Sequence, residues 1–586
     1  MSELIKNTEY ILGIKLPKGI EISDATNDSR GVKKNSIFFG LPGTKNHGSK
    51  YIKNALENGA SVAVHNDSSY KSSKSNIFYI EDLEAPTYEC GYLLGYNKVT
   101  KFLVSFYNIG WYYGAKYNYD RSLPNIHAFT GTNGKTTAAY LCHQLIVSKG
   151  ALKYKEPKLN SLYIGTLGVK INNEKFNKKF STKTTPDIFE FFKILHFYEK
   201  DYQSIENICI ELSSHALDQK RLHYLKKFST ATILNIQKDH LDYHKDEKLY
   251  IKSKFQIFNH PEIDKRIINE DLLEKEKEFN YLFEEQPIDT WDINNRAKLY
   301  GNWAKELGVY KKDGLFMQTN IKSDFVISNQ NKSASVYYEI EKIGFDETIF
   351  KIKFKNGNFV KLGILYNYVS DPKTGELIVD PDFEEMQIEY KFRTKIFSKY
   401  NIENLVFAIT ALISTNFEGS NLIEGKINDL SGLMMPRGRA EIIKDIPDNI
   451  IIDYAHNEHA FEMLLSSVSK FFKNLVIVFG CGGDRDVFKR SDMLKKAIKY
   501  SSNVIFTSDN SRGENFKDIL KDAKKGNKLE TVIIIEDRKE AIIRGSKLIN
   551  KDDCLVILGK GHEETQEING EIFHHSDYEV VNEIYS

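Results

Sequence analysis

The sequence predicts an α/β protein of several domains, built around parallel sheets whose strands end in polar loops. A glycine-rich turn over residues 130–137 separates a short apolar run from a helix-like segment. Near the end of the chain, four apolar and β-branched runs each stop at a polar cluster, which is typical of buried parallel strands. At 586 residues the chain is too long for one hydrophobic core, and roughly three to four domains are expected.

Composition excludes several classes of protein. Lys and Arg number 81 against 80 Asp and Glu, with no long basic run, so nothing favours binding to nucleic acid or to an anionic membrane. The five cysteines are scattered and lack metal-ligand spacing, as in a reducing cytosol. The first residues lack the zones of a signal peptide, and apolar runs such as 475–479 are too short to span a membrane. We therefore expect a soluble, cytoplasmic monomer.

Up to residue 124 the sequence predicts a small α/β domain. Strand-like segments lie at Ser36–Leu41, Ala60–His65 and Asn76–Ile80, and one amphipathic helix at Tyr51–Asn58.

The turn Thr130–Thr137 predicts a triphosphate-binding loop. It follows the strand-like segment Ile126–Phe129 and precedes a helix predicted from Thr137 to Lys149, with Gly150 as its stop. Backbone N–H groups and the helix dipole at this position favour an anion, Lys135 adds a full charge, and Thr136 can ligate magnesium. The usual pattern has four residues between its two glycines, whereas here Phe129 occupies the first glycine position. An ordinary Gly/Asn turn is the alternative.

Two further strands are predicted behind this loop, at Asn207–Leu212 and Thr230–Asn235, which suggests a central nucleotide-binding sheet. Glu211 follows the first, and His240 lies shortly after the second. A carboxylate and an imidazole at neighbouring strand ends suit a cation beside a triphosphate. The alternative is that both are half-buried polar residues satisfied by backbone groups. Ser213 is interpreted as a binding hydroxyl, because nothing nearby supplies a catalytic triad.

Residues 259–395 have a different character, which predicts an inserted or elaborated β-rich segment. A Lys/Glu-rich stretch at 270–285 is followed by alternating segments at Thr348–Phe354 and Phe359–Tyr366.

The last region predicts a parallel sheet with crossover helices. Its strands are expected at Ile450–Ile452, Asn474–Phe479, Asn503–Phe506 and Cys554–Leu558. The polar clusters that follow them occupy residues 453–456, 480–486, 508–512 and 559–563. Ligands of such sheets bind outside the carboxyl ends of the strands, so we expect the four clusters to converge on one site.

An ordered series of motifs along the chain resembles the Mur ligases. The motifs are Asp28-Ser29-Arg30, Thr130–Thr137, Thr184–Asp187, Glu211–Arg221, Asn235–His244, Tyr400–Asn404, Gly438–Glu441, Asp453–His456, Phe479–Asp486 and Gly559–Glu563. They cover nearly the whole chain apart from 259–395. Within the family, the sequence is most similar to the branch that adds the third amino acid of the peptide.

The resemblance implies three domains: a UDP-substrate domain at 1–124, a central ATPase domain with a phosphate-loop sheet at 125–435, and a Rossmann-like amino-acid domain at 436–586. It also implies amide ligation in the synthesis of peptidoglycan precursors. ATP would phosphorylate the free carboxylate of D-glutamate in UDP-N-acetylmuramoyl-L-alanyl-D-glutamate, and the amine of the incoming amino acid would displace the phosphate.

The family's nucleotide residues map onto this chain position by position. ATP would be held by Gly131, Thr132, Asn133, Gly134, Lys135, Thr136, Thr137, Asn401, Arg439 and Asp453. Magnesium would be held by Thr136, Glu211, His240 and Lys254, the last as the lysine that the family carbamylates, with Lys252 as the competing register. Lys135, His240, Lys254 and Arg439 would be catalytic. These cationic groups and the magnesium would neutralise the closely spaced negative charges of ATP and the substrate carboxylate.

The UDP-N-acetylmuramoyl-dipeptide would be bound by Ser29, Thr44, Lys45, Asn46, Thr184, Thr185, Ser213, Gln219 and Arg221. The chain departs from the family pattern at Asn27, where a small apolar residue is usual, and at Lys238, where arginine is expected.

The incoming amino acid would be bound by Arg485, Asp509, Asn510, Arg512, Gly559 and Glu563. Enzymes specific for meso-diaminopimelate resemble Asp-Asn-Pro-Arg where this chain has Asp509-Asn510-Ser511-Arg512. A guanidinium binds a distal carboxylate through two parallel hydrogen bonds, and lysine as a substrate lacks that carboxylate. We therefore expect meso-diaminopimelate or a related diamino diacid.

Three alternatives remain from the sequence. The first alternative is an L-lysine-adding tripeptide synthetase, the second a ligase similar to folylpolyglutamate synthetase, and the third a catalytically silent homologue that binds nucleotide. The uridine-side domain and residues 480–486 argue against the folate alternative, and intact Lys135, Glu211, His240 and Lys254 argue against the silent one.

Overall fold

The computed structural model describes residues 2–43, 46–84, 86–89, 92–107, 124–147, 160–177, 180, 184–199, 205–222, 225, 228–259, 263–280, 287–288, 309–312, 315–318, 324–355, 368–370, 377–379, 387–415, 426–485, 487–527 and 532–586. The chain forms two compact units. The first comprises Met1–Thr130, Leu159–Ile233 and Lys252–Phe325, and the second Gly131–Lys158, Leu234–Ile251 and Val326–Ser586. The three predicted domain ranges stay predictions.

The first unit begins with a four-stranded parallel sheet in the order β1-β2-β3-β4. Its strands are β1 Asp24–Thr26, β2 Ser36–Gly40, β3 Ala60–His65 and β4 Ile77–Tyr79, followed by the antiparallel hairpin of β5 Pro86–Glu89 and β6 Tyr92–Asn97. Helices run over Ser2–Leu12, Ile52–Glu57 and Lys98–Tyr107. The predicted strands and the predicted helix of this region are confirmed.

A second sheet of the first unit has the order β12-β11-β7-β10-β8-β9 and is parallel except at β9. Its strands are β7 Asn125–Thr130, β8 Ser161–Gly165, β9 Gly168–Ile171, β10 Asn207–Glu211, β11 Phe228–Ile233 and β12 Ile263–Asn269. The unit also holds helices Ile188–Glu199, Ser214–Asp218 and Leu273–Asn280, and the short strands β13 Pro287–Ile288, β14 Val309–Lys312 and β15 Leu315–Gln318. The strand predicted at Thr230–Asn235 begins and ends two residues earlier, because Leu234 and Asn235 already belong to the loop that follows.

In the second unit, helices Lys135–Val147 and Lys399–Ile413 pack against each other, and almost every residue of both is buried. The helix predicted from Thr137 begins at Lys135, and Gly150 lies outside the described residues. The short helix Leu241–His244 follows the loop after β11, and helix Glu247–Phe255 continues from this unit into the first.

The elaborated segment is rich in strands, as predicted. The strands are β16 Phe325–Ser328, β17 Val336–Lys342, β18 Thr348–Lys355, β19 Tyr368–Ser370, β20 Leu377–Val379, β21 Gln387–Thr394 and β22 Ile427–Asp429. Five of them form the run β22-β21-β18-β17-β16, and strict alternation of burial along β18 fits a sheet with one covered face. The strand predicted at Phe359–Tyr366 lies outside the described residues.

The last sheet has the order β23-β24-β28-β25-β26-β27 and is parallel except at β23. Its strands are β23 Glu441–Ile442, β24 Ile450–Asp453, β25 Leu475–Cys481, β26 Asn503–Ser508, β27 Val532–Ile534 and β28 Cys554–Leu558, followed by the hairpin β29 Thr565–Ile568 and β30 Glu571–His574. Helices Glu458–Val468, Phe488–Tyr500, Phe516–Lys524, Arg538–Ser546 and Asp577–Tyr585 accompany it. All four predicted strands are confirmed.

Both faces of this sheet are covered by apolar side chains. Phe461, Phe479 and Phe506 belong to the core on one face, and Ile452 and Val478 to the core on the other. Double coverage explains why the strands are continuous apolar runs. Among the described helices of the whole chain, none is long and apolar enough to cross a membrane.

Candidate active site

The glycine-rich loop that follows β7 is held by the segment that follows β11. The backbone N–H of Thr132 donates to the carbonyl of Asn235 over 2.9 Å, and the N–H of Asn133 donates to Asn235 Oδ1 over 2.9 Å. Thr132 Oγ1 lies 3.1 Å from the Gln237 carbonyl and 2.9 Å from the Tyr250 hydroxyl. The loop is therefore fixed in shape by its neighbours.

Gly134 has a positive φ of 86°, and a Cβ at this position would lie 2.3 Å from Asn404 Oδ1. Only glycine fits such a backbone without strain. Asn404 Nδ2 donates in turn to Asn401 Oδ1 over 3.2 Å, and both side chains are buried. Asn404, which sequence reasoning did not single out, therefore couples the loop to Asn401; its only signal was membership of the 400–404 motif.

Two cationic side chains lie close to the start of helix Lys135–Val147. Lys135 Nζ donates to the carbonyls of Gly131 and Thr132 over 2.9 and 3.0 Å. Arg439 Nη2 lies 3.4 Å from Thr136 Oγ1, and the Arg439 guanidinium stacks 4.4 Å from the centre of the Tyr454 ring. A helix N-terminus with two added cations is suited to a polyphosphate.

Asp453 ends β24 in a rigid position. Its two carboxylate oxygens accept hydrogen bonds of 2.6 Å from the backbone N–H groups of Ala440 and Ala455. Burial raises the pKa of Asp453, although Arg439 and the two N–H groups oppose this shift. The structure thus brings three predicted nucleotide residues, Thr136, Arg439 and Asp453, into one connected set.

Glu211 lies at the end of β10 in the first unit and is fully buried. Its carboxylate accepts hydrogen bonds from the Tyr163 hydroxyl over 2.5 Å, the Thr166 N–H over 2.9 Å and the Thr166 hydroxyl over 3.0 Å. A Cβ at Gly165 would lie only 2.0 Å from Glu211 Oε1. The carboxylate is therefore held in one orientation.

The predicted dipeptide-binding residues gather around this carboxylate. Thr184 Oγ1 lies 3.2 Å from Thr166 Oγ1, and Thr185 Oγ1 donates to the Glu211 carbonyl over 2.8 Å. Arg221 donates through Nη1 to the Thr185 carbonyl over 2.7 Å and through Nε to Gln219 Oε1 over 2.9 Å. Ser213 caps helix Ser214–Asp218.

Lys254 is almost fully buried in helix Glu247–Phe255, whereas Lys252 on the same helix is partly exposed. A buried lysine is costly unless it is paired or modified. This difference favours Lys254 over Lys252 as the lysine with a special role.

The predicted uridine residues are described only in part. Ser29 is buried at the start of a short 3₁₀ helix capped by Asp28, and its carbonyl accepts from Asn58 Nδ2 over 2.9 Å. Asn46 Oδ1 accepts from Lys50 Nζ over 2.8 Å. Thr44 and Lys45 lie outside the described residues.

A cavity of about 170 Å³ lies at the carboxyl ends of the strands in the last sheet. All four predicted polar clusters contribute to it, which confirms their convergence. Its lining includes every residue predicted to bind the amino acid, namely Arg485, Asp509, Asn510, Arg512, Gly559 and Glu563.

Hydrogen bonds fix the acidic and basic groups around this cavity. Glu563 accepts from Asn510 Nδ2 over 2.9 Å and from the Tyr454 hydroxyl over 3.3 Å. Arg512 Nη1 donates to the Gly483 carbonyl over 2.8 Å, and Arg512 Nε lies 3.5 Å from a Glu567 carboxylate oxygen. Arg485 is largely exposed.

The cavity also has lining residues that sequence reasoning did not assign to it, among them Asp239, His240 and Lys489, and His456 of the predicted cluster 453–456 lines it too. Burial, reinforced by the Lys489 charge, lowers the pKa of His456 to about 4, so its imidazole is neutral at physiological pH. Burial opposes ionisation of Asp239, but His240, His456 and Lys489 keep its pKa below the usual value. The place of Asp239, His240 and Lys489 at this cavity depends on how distant chain segments pack, which spacing in the sequence does not show.

Gly438 lies where two backbone segments touch. It has a φ of 69°, and a Cβ would lie 2.5 Å from the His562 nitrogen and 2.6 Å from the Gly561 carbonyl carbon. Its N–H donates to Glu441 over 2.8 Å, and its carbonyl accepts from the Tyr454 N–H over 2.9 Å. The segment that carries Arg439 is thereby fixed against the loop that carries Glu563.

The predicted magnesium ligands divide between the units, with Glu211 and Lys254 in the first and Thr136 and His240 in the second. Carboxylate and hydroxyl oxygens are suitable magnesium ligands. Within the described part of the chain, no three His, Cys, Asp or Glu side chains cluster as a metal site. Glu211 and Thr136 each offer an oxygen ligand by their chemistry, and a carbamylated Lys254 would offer a further one.

Family models match three stretches of the sequence: the Mur ligase family catalytic domain at 21–87, the Mur ligase middle domain at 129–330, and the Mur ligase glutamate ligase domain at 438–561. The chain is also 30% identical, over 96% of its length, to a relative from Wigglesworthia glossinidia brevipalpis. The chain belongs to the Mur ligase family.

That relative is a UDP-N-acetylmuramoyl-L-alanyl-D-glutamate–2,6-diaminopimelate ligase, 95% of which is covered. The ligase of the same name from Aquifex aeolicus is 30% identical over 100% of this chain and 96% of its own length. A solved structure of such a ligase has a TM-score of 0.54 at 23% identity, with 99% and 98% of the two chains covered. The MurF ligase of Thermotoga maritima in complex with ADP has a TM-score of 0.52 at 13% identity, with 97% and 98% covered. These structures confirm the predicted three-domain Mur ligase fold.

Proposed function

We propose that this chain is an ATP-dependent ligase that adds meso-2,6-diaminopimelate to UDP-N-acetylmuramoyl-L-alanyl-D-glutamate, with ADP and phosphate as the other products. The curated relatives described above are named for this reaction. The reaction serves peptidoglycan synthesis, and we propose a cytoplasmic location because both ATP and the UDP-linked substrate are cytoplasmic metabolites. A monomer is proposed as the working form.

One observation carries the choice of amino acid: a single cavity presents Arg485 and Arg512 together with Glu563. A diamino diacid has a distal carboxylate and a distal ammonium group. The guanidinium groups suit the carboxylate, and Glu563 with the Gly559 carbonyl suits the ammonium. L-Lysine has no distal carboxylate to offer these two guanidinium groups.

For activation of the dipeptide, we propose that Lys135, Arg439 and the N–H groups of the loop Gly131–Thr137 hold the phosphates. ATP supplies the phosphoryl group that turns an unreactive carboxylate into an acyl phosphate. Asn401 and Asp453 would hold the adenine and the ribose. The contact of Arg439 with Thr136 and the close approach of Asn404 to Gly134 support this assignment.

Magnesium is proposed as the accompanying cation. Thr136, Glu211, His240 and carbamylated Lys254 would hold it, and its charge would offset that of the phosphates. The burial of Lys254 and the fixed carboxylate of Glu211 support this set. Replacing Lys254 by alanine should abolish ligation, whereas Lys252→Ala, on the same helix, should retain it.

For the dipeptide substrate, we propose that Ser29, Thr44, Lys45 and Asn46 contact the uridine end. Thr184, Thr185, Ser213, Gln219 and Arg221 would hold the muramoyl-dipeptide. Hydrogen bonds link Thr185 to Ser213 and Arg221, and Arg221 to Gln219, while Thr184 contacts Thr166 beside Glu211; these contacts support the second group.

The test is a panel of amino acids, with phosphate release and ligated product measured for each. Purified protein with ATP, magnesium and the UDP-dipeptide should add meso-diaminopimelate faster than L-lysine. Faster addition of L-lysine would overturn the substrate assignment, and phosphate release only with a pteroyl substrate would favour the folate alternative. Lys135→Ala should lose ligation, while Lys248→Ala, an exposed lysine, should not.

A further inference from the structure

Lys560 is a fully buried lysine behind the amino-acid cavity, and the proposed function gives it no role. It follows Gly559 at the end of β28. Its Nζ lies 2.6 Å from the Thr565 carbonyl, 3.3 Å from Glu563 Oε2 and 3.4 Å from Asn510 Oδ1. Moving a charge out of water is costly unless it is paired, so these contacts must compensate for the burial of this ammonium.

The contacts of Lys560 determine which way the Asn510 amide points. Asn510 Oδ1 accepts from Lys560 Nζ and from the Glu567 N–H, the latter over 2.9 Å. Asn510 Nδ2 donates to Glu563 over 2.9 Å. A flipped amide would set its NH₂ group against the ammonium and against a backbone N–H, and would lose the bond to Glu563.

Lys560 also sets the net charge of the side of the cavity that Asp509 and Glu563 form. Asp509 Oδ1 lies 3.7 Å from Lys560 Nζ, so one ammonium lies between the carboxylates of Asp509 and Glu563. The neighbouring Arg538 is neutralised by its own partner, Asp577. The three groups Asp509, Glu563 and Lys560 therefore carry one net negative charge together, which matches one ammonium group of a bound amino acid.

We propose that Lys560 is a positioning residue for the acceptor: it orients Asn510 and Glu563 so that Glu563 receives the distal ammonium of a diamino diacid. The inference rests on the proposed function and deepens it. It assigns selectivity for the distal amine to a residue that the substrate does not touch.

The experiment compares two acceptors in Lys560→Met and in the unmodified protein. The acceptors are meso-diaminopimelate and 2-aminopimelate, which keeps both carboxylates but lacks the distal amine. In the unmodified protein the diamino acid should have the lower KM. In Lys560→Met its KM should rise by about tenfold or more, whereas the KM for 2-aminopimelate should change by no more than about twofold.

Because the ratio of the two KM values is taken within one protein sample, partial misfolding of the variant does not obscure it. KM for ATP should stay unchanged, and Lys547→Met, at an exposed lysine just after helix Arg538–Ser546, should leave the KM of both acceptors unaffected. An equal rise in KM for both acceptors would mean that Lys560 is merely structural and would overturn the inference. Failure of the unmodified protein to add either acceptor would instead overturn the proposed function.

Discussion

Arg538 and Asp577 form a two-fold hydrogen-bonded ion pair that is completely buried. Arg538 Nε donates to Asp577 Oδ1 and Nη2 to Oδ2, each over 2.8 Å, and neither side chain is exposed. Arg538 Nη2 also donates to the Leu558 carbonyl over 2.9 Å, at the end of β28. Although burial opposes ionisation, Arg538 holds the pKa of Asp577 well below its usual value. The pair therefore attaches the last helix beneath the amino-acid cavity.

Replacing Asp577 by asparagine should cost about 3–5 kcal/mol of unfolding free energy, because it leaves a buried guanidinium without its counter-charge. Urea denaturation measures this. The adjacent Lys539 pairs with Glu583 over 2.5 Å on the surface, and Lys539→Met should lower the free energy of unfolding far less than Asp577→Asn does. Equal losses in the two variants would contradict the special importance of the buried pair.

Replacing Gly134 by alanine should impair nucleotide binding. The positive φ and the contact with Asn404 both oppose a Cβ. The loop must therefore change shape to accept alanine, and the backbone strain costs about 1–2 kcal/mol. We expect KM for ATP to rise by about tenfold in assays of phosphate release. Gly432 has no atom within 4 Å of a Cβ, and Gly432→Ala is the control. A Gly134→Ala protein with normal KM for ATP would disprove the loop assignment.

Acid should destabilise the fold through buried neutral histidines. Burial lowers the pKa of His127, which lies 3.1 Å from Thr230 Oγ1, to about 4, whereas an unfolded histidine titrates near about 6.5. Between these values the unfolded chain binds a proton that the folded chain does not, so stability falls as pH decreases through this window. Below both pKa values, the protonation of this histidine lowers the free energy of unfolding by about 3 kcal/mol.

His127→Gln removes this titration without adding a charge. Its unfolding free energy should fall less than that of the unmodified protein between about pH 7 and pH 4.5. His574→Gln, at an exposed histidine of β30, is the control for the substitution itself. Identical pH dependence in all three proteins would exclude His127 as a contributor.

Arg512→Lys should weaken binding of the diamino diacid. Arg512 has a positive φ of 52° and donates to Gly483, so its guanidinium is fixed at the cavity, and lysine cannot reproduce its planar fork. We expect KM for meso-diaminopimelate to rise by about tenfold, with KM for ATP unchanged. Arg544→Lys, on an exposed helix position, is the control. An unchanged acceptor KM would exclude the carboxylate contact.

Sequence patterns predicted the strands that carry a long apolar run, such as β3 and β28. They did not reveal β23 and β27, because two or three residues are too few to show a period and depend on pairing with a neighbour. The strand predicted at Thr230–Asn235 was displaced for a related reason. Asn235 looks like a strand residue locally, but its hydrogen bonds go to Asn133.

The sequence predicted those site residues that lie at the carboxyl ends of parallel strands, because the topology of the sheet alone determines their position. Residues that act through distant neighbours were not predicted. Asn404 is important because it contacts Gly134, and Lys560 because it lies between Asp509 and Glu563. Neither contact follows from spacing in the sequence, since each depends on how separate segments pack.

The contact of Gly438 with Gly561 and His562 constrains any exchange of loops between related ligases. These two segments are far apart in sequence, but their backbones lie so close together that a methyl group at position 438 would not fit. A graft that transfers only the loop after β28, in order to change the amino acid added, would bring a new backbone path against an unaltered partner. Specificity transplants should therefore carry both segments together, and libraries that vary one of them should hold position 438 as glycine.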